Sequence, residues 1–507
     1  MQQLNKALLK SGFGFPCDVL VQDYPEHLPE RILQFGEGNF LRAFVDWMIH
    51  LLNKEKLFNG RVVAVQPIKE GLAKKINEQD GLYTLFLRGL NQGVPKEEKE
   101  IISSISRCLN PYTEWESYLK CAEAPLMEYI ISNTTEAGIV FEPEERVVNQ
   151  CPNSFPAKLT EYLYHRYCHF KGDPSKGMVV IPCELIDRNG DNLKKAVLQY
   201  AEHWKLPAEF CRWVGESNQF LNTLVDRVVT GYPKEEIEQI SDYLGYEDSL
   251  VDTGELFHLW VIEGPAQLAN RLPFDKIGLN VIWTNDMTPY RTRKVRILNG
   301  AHTSSVPAAF LYGLDTVGEM LEHAVMGKFV RQIVYDEIVP SIGYDKNMLV
   351  DFADSVIERF QNPYIHHYLL SILLNSSSKF KARVLPSILE YKKRNHMLPK
   401  KLVFSLAALI SVYKNGKCDV AGMQATRDKG AFTMKDDSWA LEFFETTWAE
   451  FDGSTQGAHE VAMRVLSNTR LWGEDLNLIE GLTDLVGTYL HQITSTGIKD
   501  TVAELLK

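Results

Sequence analysis

The chain has 507 residues, of which 45% are hydrophobic and 24% charged, with 33 Gly and 22 Pro. This is the make-up of a globular protein of more than one domain, and it excludes collagen, coiled-coil and disordered classes for the whole. Lys and Arg number 54 against 66 Asp and Glu, a net charge of −12 at pH 7. That balance argues against nucleic-acid or anionic-membrane binding, but leaves room for a local basic site that holds a small anion.

No run approaches the ~20 consecutive apolar residues needed to span a bilayer. The nearest, residues 402–413 (LVFSLAALISVY), contains Ser405 and Ser411 and reads as a buried helix. The opening MQQLNKALLK has no apolar core of a secretory signal, so a cytoplasmic location is expected. Eight cysteines with no C-x-x-C pair read as mostly buried thiols, not a disulfide frame or zinc site. His165 and His169 are spaced for one helix face, but no H-E-x-x-H pattern surrounds them, and no metal is expected.

Along the first half, short β-rich runs alternate with helical patterns. The strand candidates are residues 32–35 (ILQF), 61–66 (RVVAVQ), 128–132 (EYIIS), 178–182 (MVVIP) and 280–284 (NVIWT). Such alternation predicts a parallel sheet covered by crossover helices. From about Pro289 onward, long apolar-periodic segments such as 306–324 and 401–414 dominate, and Asn415-Gly416 marks a turn after the second. The expected organisation is an α/β domain over residues 1–285 and a mainly helical one over 286–507.

Three segments carry candidate chemistry. In the first, Gly36-x-Gly38 follows a strand directly, and Phe40, Phe44, Trp47, Met48 and Leu51 mark a helical apolar face after it. Glycines there let the backbone approach a pyrophosphate, and the helix N-terminus offers free N–H groups. The third glycine of G-x-G-x-x-G is replaced by Leu41, and a structural tight turn is the competing reading. The acid that should bind the adenosine ribose is also missing: the next strand ends at Gln66, with Lys69 nearby, which leaves NAD and NADP both open by this rule. The second segment, residues 132–138 (SNTTEAG), closes another strand. It is either simple helix capping or a second wall of a cofactor cleft.

The third segment places Arg291, Arg293, Lys294 and Arg296 close together, followed by Asn299 and His302. On a regular helix Lys294, Arg291, His302 and Asn299 fall at about 0°, 60°, 80° and 140°. One face would thus present a proton donor, an amide and an imidazole. Reduction of a ketone by hydride needs a proton for the carbonyl oxygen and donors for the developing alkoxide. A solvated basic helix is the alternative.

The segments FGEGNFLRAF (35–44), QDGLYT (79–84), SNTTEAGI (132–139), LVDRVV (224–229), WVIEGP (260–265) and KVRILNGAHT (294–303) together resemble the polyol-specific long-chain dehydrogenases, the mannitol dehydrogenase family. Within it, IPCELIDRNGD and RFQNPYIHHYLLSI are similar to members that interconvert tagaturonate and altronate in hexuronate catabolism. The resemblance implies a zinc-independent NAD(H)-dependent reductase with a Rossmann-like N-terminal domain, a helical C-terminal domain and an active site between them. It implies Lys294 as general acid and base, Asn299 at the oxyanion and His302 orienting substrate. Asn189 is a second amide candidate, although Pro182-Cys183-Glu184-Leu185 departs from the Ser-Cys-Asp-Asn of many members. Gly36, Gly38, Asn39 and Phe40 would line the pyrophosphate, with Arg42 also among the cofactor-binding residues. Gln66, at the next strand end, and Asn133 would also bind the cofactor, with Thr134 and Glu136 on the nicotinamide side and Val225 and Asp226 beside the cofactor.

A hexuronate differs from a hexitol by its carboxylate, and a buried carboxylate favours a cation. Lys379 or Arg383 is the expected partner, with Arg291 third; an exposed basic loop is the competing reading. The rival functions are fructuronate reduction or neutral-polyol oxidation by the same chemistry, and a non-catalytic dinucleotide-binding sensor.

Overall fold

The computed structural model describes residues 1–507, with only the side chain of Glu136 outside the described residues. Its contacts divide the chain into two compact units, Met1–Met287 and Thr288–Lys507.

Unit one is built on six parallel strands: β1 (Glu30–Phe35), β2 (Arg61–Val65), β3 (Ile105–Leu109), β4 (Tyr129–Ser132), β5 (Val179–Pro182) and β6 (Gln219–Phe220). Their order is β6-β5-β4-β1-β2-β3, with every neighbouring pair parallel. Read from the other edge this is 3-2-1-4-5-6, the Rossmann order, which reverses between β1 and β4. Strands β2, β4 and β5 are buried at every residue, as sequences apolar on both faces require. Ile32, Val62, Ala64 and Ile131 face one core with Phe44, Met48 and Leu52. Leu33, Val63, Val65 and Ile130 face the other, against Leu159 and Leu163 of helix Phe155–His169 and Leu193 and Val197 of helix Asn189–His203.

Four of the five expected strands lie in this sheet; the fifth does not. Val281–Thr284 pairs parallel with Leu259–Glu263 in a separate three-stranded sheet, whose far edge is the antiparallel Asn222–Asp226. A hairpin of Tyr83–Asn91 and Val94–Ile102 adds a further sheet that the sequence reading did not anticipate. Positive φ at Gln92 and Gly93 (53° and 76°) gives its two-residue turn the twist of a tight hairpin. The expected regular helix after Gly38 is also interrupted. It runs Asn39–Leu41 as α, Arg42–Asp46 as π and Trp47–Lys54 as α. Phe40 and Leu51 are consequently only partly buried, while Phe44, Trp47 and Met48 are buried.

Unit two is mainly helical. Thr288–Arg293, the π-helical Lys294–Asn299 and Gly300–Tyr312 follow without a break. Residues 306–324 are not one helix: Gly313 at φ 101° ends the first, and Thr316 with Glu319 forms a capping box for Val317–Glu322. Helix Lys400–Val412 is buried at every residue from Leu402 onward and packs against Gly300–Tyr312 and Leu482–Ser495. Asn415 at φ 60° turns the chain after it. An antiparallel sheet of Lys417–Asp419, Gly422–Arg427 and Gly430–Met434 interrupts the helices where no strand was expected.

All eight cysteines are free. They are not mostly buried: Cys108, Cys121 and Cys183 are, but Cys17 and Cys168 are exposed and the other three intermediate. Among the described residues no helix is long and apolar enough to cross a membrane.

Candidate active site

Unit one forms a cleft of about 410 Å³ where the strand order reverses, within the range of small-ligand sites. Gly36, Glu37 and Gly38 from the end of β1 line it, with Pro67 and Ile68 after β2 and Asn133, Thr134 and Thr135 after β4. Gly36 sits at φ +112°, and a Cβ there would lie 2.8 Å from the Asn133 carbonyl oxygen and 3.2 Å from Leu41 Cδ1. Only glycine fits. Gly38 is the N-cap of the short helix, supplies no side-chain acceptor, and has nothing within 4 Å of where its Cβ would be. Open space and first-turn N–H groups without a side-chain cap therefore coincide, the arrangement that suits a phosphate.

Arg42 does not present its charge to such a ligand. Its guanidinium is buried beneath the turn, donating to Glu37 O at 2.9 Å and Asn39 Oδ1 at 2.8 Å and lying 3.7 Å from Asp252. It fixes the turn from behind. Asn39 is held between this guanidinium and Gly231, whose Cβ would meet Asn39 Nδ2 at 2.2 Å. Phe40 stacks on Phe44 with ring centroids 5.0 Å apart. Gln66 is likewise committed elsewhere: Nε2 donates to Ile68 O and Lys69 O, and Oε1 accepts from Ala73 N. It shapes the loop after β2 instead of facing a ribose.

The loop after β4 depends on Glu184, which sequence reasoning treated only as a departure from a family pattern. Glu184 is buried, and its Oε1 accepts from Thr134 N at 2.9 Å and Thr134 Oγ1 at 3.2 Å, while Oε2 accepts from Ser132 Oγ at 3.1 Å. Burial holds its carboxyl above the ordinary value despite these donors. Asn133 Nδ2 donates to Cys183 O at 2.8 Å. The signal available was an acid at a strand end of the sheet, where ligands collect. The side chain of Glu136 lies outside the described residues. Val225 and Asp226 are buried on Asn222–Asp226, opposite Trp260 and Leu259.

The Asn189 amide is turned to backbone groups. Fully buried, it donates through Nδ2 to Pro182 O (3.0 Å), Glu184 O (3.1 Å) and Thr223 O (3.2 Å), and accepts through Oδ1 from Thr223 N and Gly190 N. Both ends of the amide are occupied by backbone. It ties β5 to Asn222–Asp226.

Unit two holds the lysine, amide and imidazole on one run of helix. Lys294 opens the π segment and Asn299 closes it, each half-buried, and His302 follows in the next turn. The regular-helix wheel does not apply here. Five residues would stand about 140° apart on an α-helix, whereas i→i+5 bonding brings residues five apart towards one side. His302 stacks on Phe360, centroids 4.0 Å apart at 15°, and meets His367 edge-on at 5.2 Å. Its Nε2 is buried with no hydrogen-bond partner among the described residues. Burial, then His367, Arg359 and Arg383, hold the ring well below the ordinary imidazole value, so it is neutral.

The basic segment after it is a helix, Ser376–Arg383, not an exposed loop. Lys379 and Arg383 are half-buried, while Lys381 faces solvent. Lys379 Nζ donates to Ile372 O at 3.1 Å; burial and Arg383 lower its pKa, against a raising effect of Asp436. Burial and Lys379 lower the pKa of His367, and burial lowers that of Arg383. Gly300 lets this helix approach: a Cβ there would lie 3.2 Å from Arg383 O. Lys379 and Arg383 thus form a partly desolvated cationic pair beside the imidazoles of His367 and His302, which that charge and burial keep towards the neutral form. Arg291 is exposed on Thr288–Arg293. His165 pairs with Glu123 Oε1 at 2.9 Å.

Residues 30–276 match the family model described as mannitol dehydrogenase Rossmann domain, and residues 286–494 the mannitol dehydrogenase C-terminal domain. The chain is 47% identical over 479 residues to an altronate oxidoreductase of Bacillus subtilis (strain 168), covering 94% of this chain and 96% of that relative. It is 45% identical over 486 residues to an altronate oxidoreductase of Enterobacter sp. (strain 638), covering 96% and 99%. Among solved structures it resembles Pseudomonas fluorescens mannitol 2-dehydrogenase in a ternary complex with NAD and D-mannitol (22% identity, TM-score 0.70, 100% and 99% coverage). A D-sorbitol dehydrogenase in substrate-free form is similar at 21% identity and TM-score 0.79, with 99% and 100% coverage. With family models matching nearly its whole length and the Rossmann strand order in place, the chain belongs to the mannitol dehydrogenase family.

Proposed function

We propose that this chain interconverts D-tagaturonate and D-altronate with NAD(H), as a cytoplasmic step of hexuronate catabolism. The observation that carries the acidic substrate is the half-buried cationic pair of Lys379 and Arg383 beside His367 and His302. A substrate carboxylate would pair with these two cations and relieve their repulsion; a neutral polyol would not. Near-full-length identity of 44–47% to relatives named altronate oxidoreductase supports the same substrate pair.

When bound, NAD(H) supplies or accepts the hydride. Gly36, Gly38 and the first-turn N–H groups of Asn39–Leu41 would hold its pyrophosphate, consistent with the open space at Gly38. Residues 1–285 are thus assigned the dinucleotide and 286–507 the substrate. Lys294 Nζ delivers the proton to the ketone oxygen in reduction and removes it from the alcohol in oxidation. The Asn299 amide donates to that oxygen as charge builds on it. His302, kept neutral, meets the substrate through the Nε2 that lacks a protein partner. No step is assigned to a metal, so turnover in EDTA is expected to persist.

The test is NADH oxidation with tagaturonate, fructuronate and fructose in parallel. We expect kcat/KM for tagaturonate to exceed the others by about tenfold or more. Preference for fructuronate or fructose would reassign the substrate within the family. Cofactor binding without turnover of any of the three would leave a dinucleotide sensor.

A further inference from the structure

Resting on the NAD(H) reading above, we infer that Glu37, between the two glycines of the turn, recognises the adenosine ribose hydroxyls and excludes a 2′-phosphate, setting a preference for NADH over NADPH. In Rossmann folds the acid for this task stands near the carboxyl end of the second strand. Here β2 is followed by Gln66, Pro67, Ile68 and Lys69. The Gln66 carboxamide is committed to Ile68 O and Lys69 O, both at 2.9 Å, and to Ala73 N at 3.1 Å.

Glu37 reaches the same place from the opposite side. Its Oε1 accepts from Leu72 N at 3.1 Å, which ties the carboxylate to the loop after β2. Gly71 makes the reach possible, because a Cβ there would stand 2.2 Å from that oxygen. No described side chain donates to the carboxylate, and Glu37 lines the cleft with Gly36, Gly38, Pro67 and Ile68. A dinucleotide running from the turn towards the β2 loop must pass it. Glu37 is only 6% exposed, so its charge is poorly screened by water. Two ribose hydroxyls can donate to such a carboxylate and favour its ionised form. A phosphate dianion in their place would face a like charge in a low-dielectric wall, a strong repulsion. Lys69 and Glu70, both exposed on the loop, are the competing determinants and serve as controls.

The experiment measures NADH and NADPH binding by quenching of protein fluorescence, and kcat/KM with tagaturonate for each cofactor. The set is wild type, Glu37→Gln, Gly71→Ala, Lys69→Ala and Glu70→Gln. Wild type is expected to favour NADH by about 100-fold, and Glu37→Gln to lose at least about tenfold of that ratio. Gly71→Ala, which displaces the carboxylate, should shift the ratio the same way, and serves if Glu37→Gln does not fold. Lys69→Ala and Glu70→Gln should leave it within about threefold. A wild-type preference for NADPH, or an unchanged binding ratio in folded Glu37→Gln or Gly71→Ala, would overturn the assignment. NADH binding with the expected ratio but no turnover would overturn the catalytic reading and sustain the role of Glu37. Failure of wild type to bind either cofactor would remove both.

Discussion

The Cβ that Gly36 lacks would stand 2.8 Å from the carbonyl oxygen of Asn133, so the ends of β1 and β4 approach as closely as glycine allows. This contact sets the width of the cleft at the point where the strand order reverses. Gly36→Ala must both adopt φ +112° and push Asn133 away. We expect a stability loss of about 1–3 kcal/mol and NADH binding at least about tenfold weaker. Denaturant unfolding and fluorescence titration check both; an unchanged NADH Kd would contradict the role of the contact.

Asn189 separates a structural from a catalytic reading. Because its amide is committed to Pro182, Glu184, Gly190 and Thr223, Asn189→Ala should cost at least about 2 kcal/mol of stability through stranded backbone groups. The kcat of the folded fraction should stay within about threefold of wild type. A collapse of kcat at unchanged stability would restore it as an oxyanion amide.

His302 gives a pH signature. Its pKa lies well below 6.5 in the folded chain and returns towards 6.5 on unfolding. Below that pH the unfolded chain binds a proton that the native one refuses, so stability falls as pH falls. Thermal melts from pH 7.5 to pH 5 should show a loss in wild type that is smaller in His302→Gln. Parallel curves for the two proteins would contradict the assignment.

Arg383 and Lys379 are tested by the kind of substrate that suffers. Arg383→Met should raise KM for tagaturonate by about tenfold or more while altering turnover of fructose much less. The same comparison for Lys379→Met ranks the two. Equal losses for acidic and neutral substrates would discard the carboxylate contact.

Much of this fold is legible in the residues. Continuous apolar runs such as Arg61–Val65 and Val179–Pro182 announce strands covered on both faces, and all four runs of this kind entered the parallel sheet. The hairpin 83–102 was hidden because its second strand, Val94–Ile102, opens with Val-Pro and then an unbroken charged run (KEEKE, 96–100), and carries no alternation. The small sheet 417–434 was hidden by short strands and glycines. The π turns at Arg42–Asp46 and Lys294–Asn299 leave no mark in composition, since they shift hydrogen bonding by one residue without changing which residues are apolar. Site residues fared by type. Glycines at the turn are legible because backbone conformation demands them. The partners of Arg42, Gln66 and Asn189 were not legible, because what holds a guanidinium or an amide is decided by the folded chain around it. Glu184 was missed for the same reason, its partners lying on a loop fifty residues away.

The central claim is that Lys294 moves the proton. Its most direct test is NADH oxidation with tagaturonate by Lys294→Ala, with NADH affinity measured on the same preparation. The account predicts that kcat falls by about 10³-fold while NADH Kd stays within about threefold of wild type. A variant that binds NADH and retains wild-type kcat would contradict it.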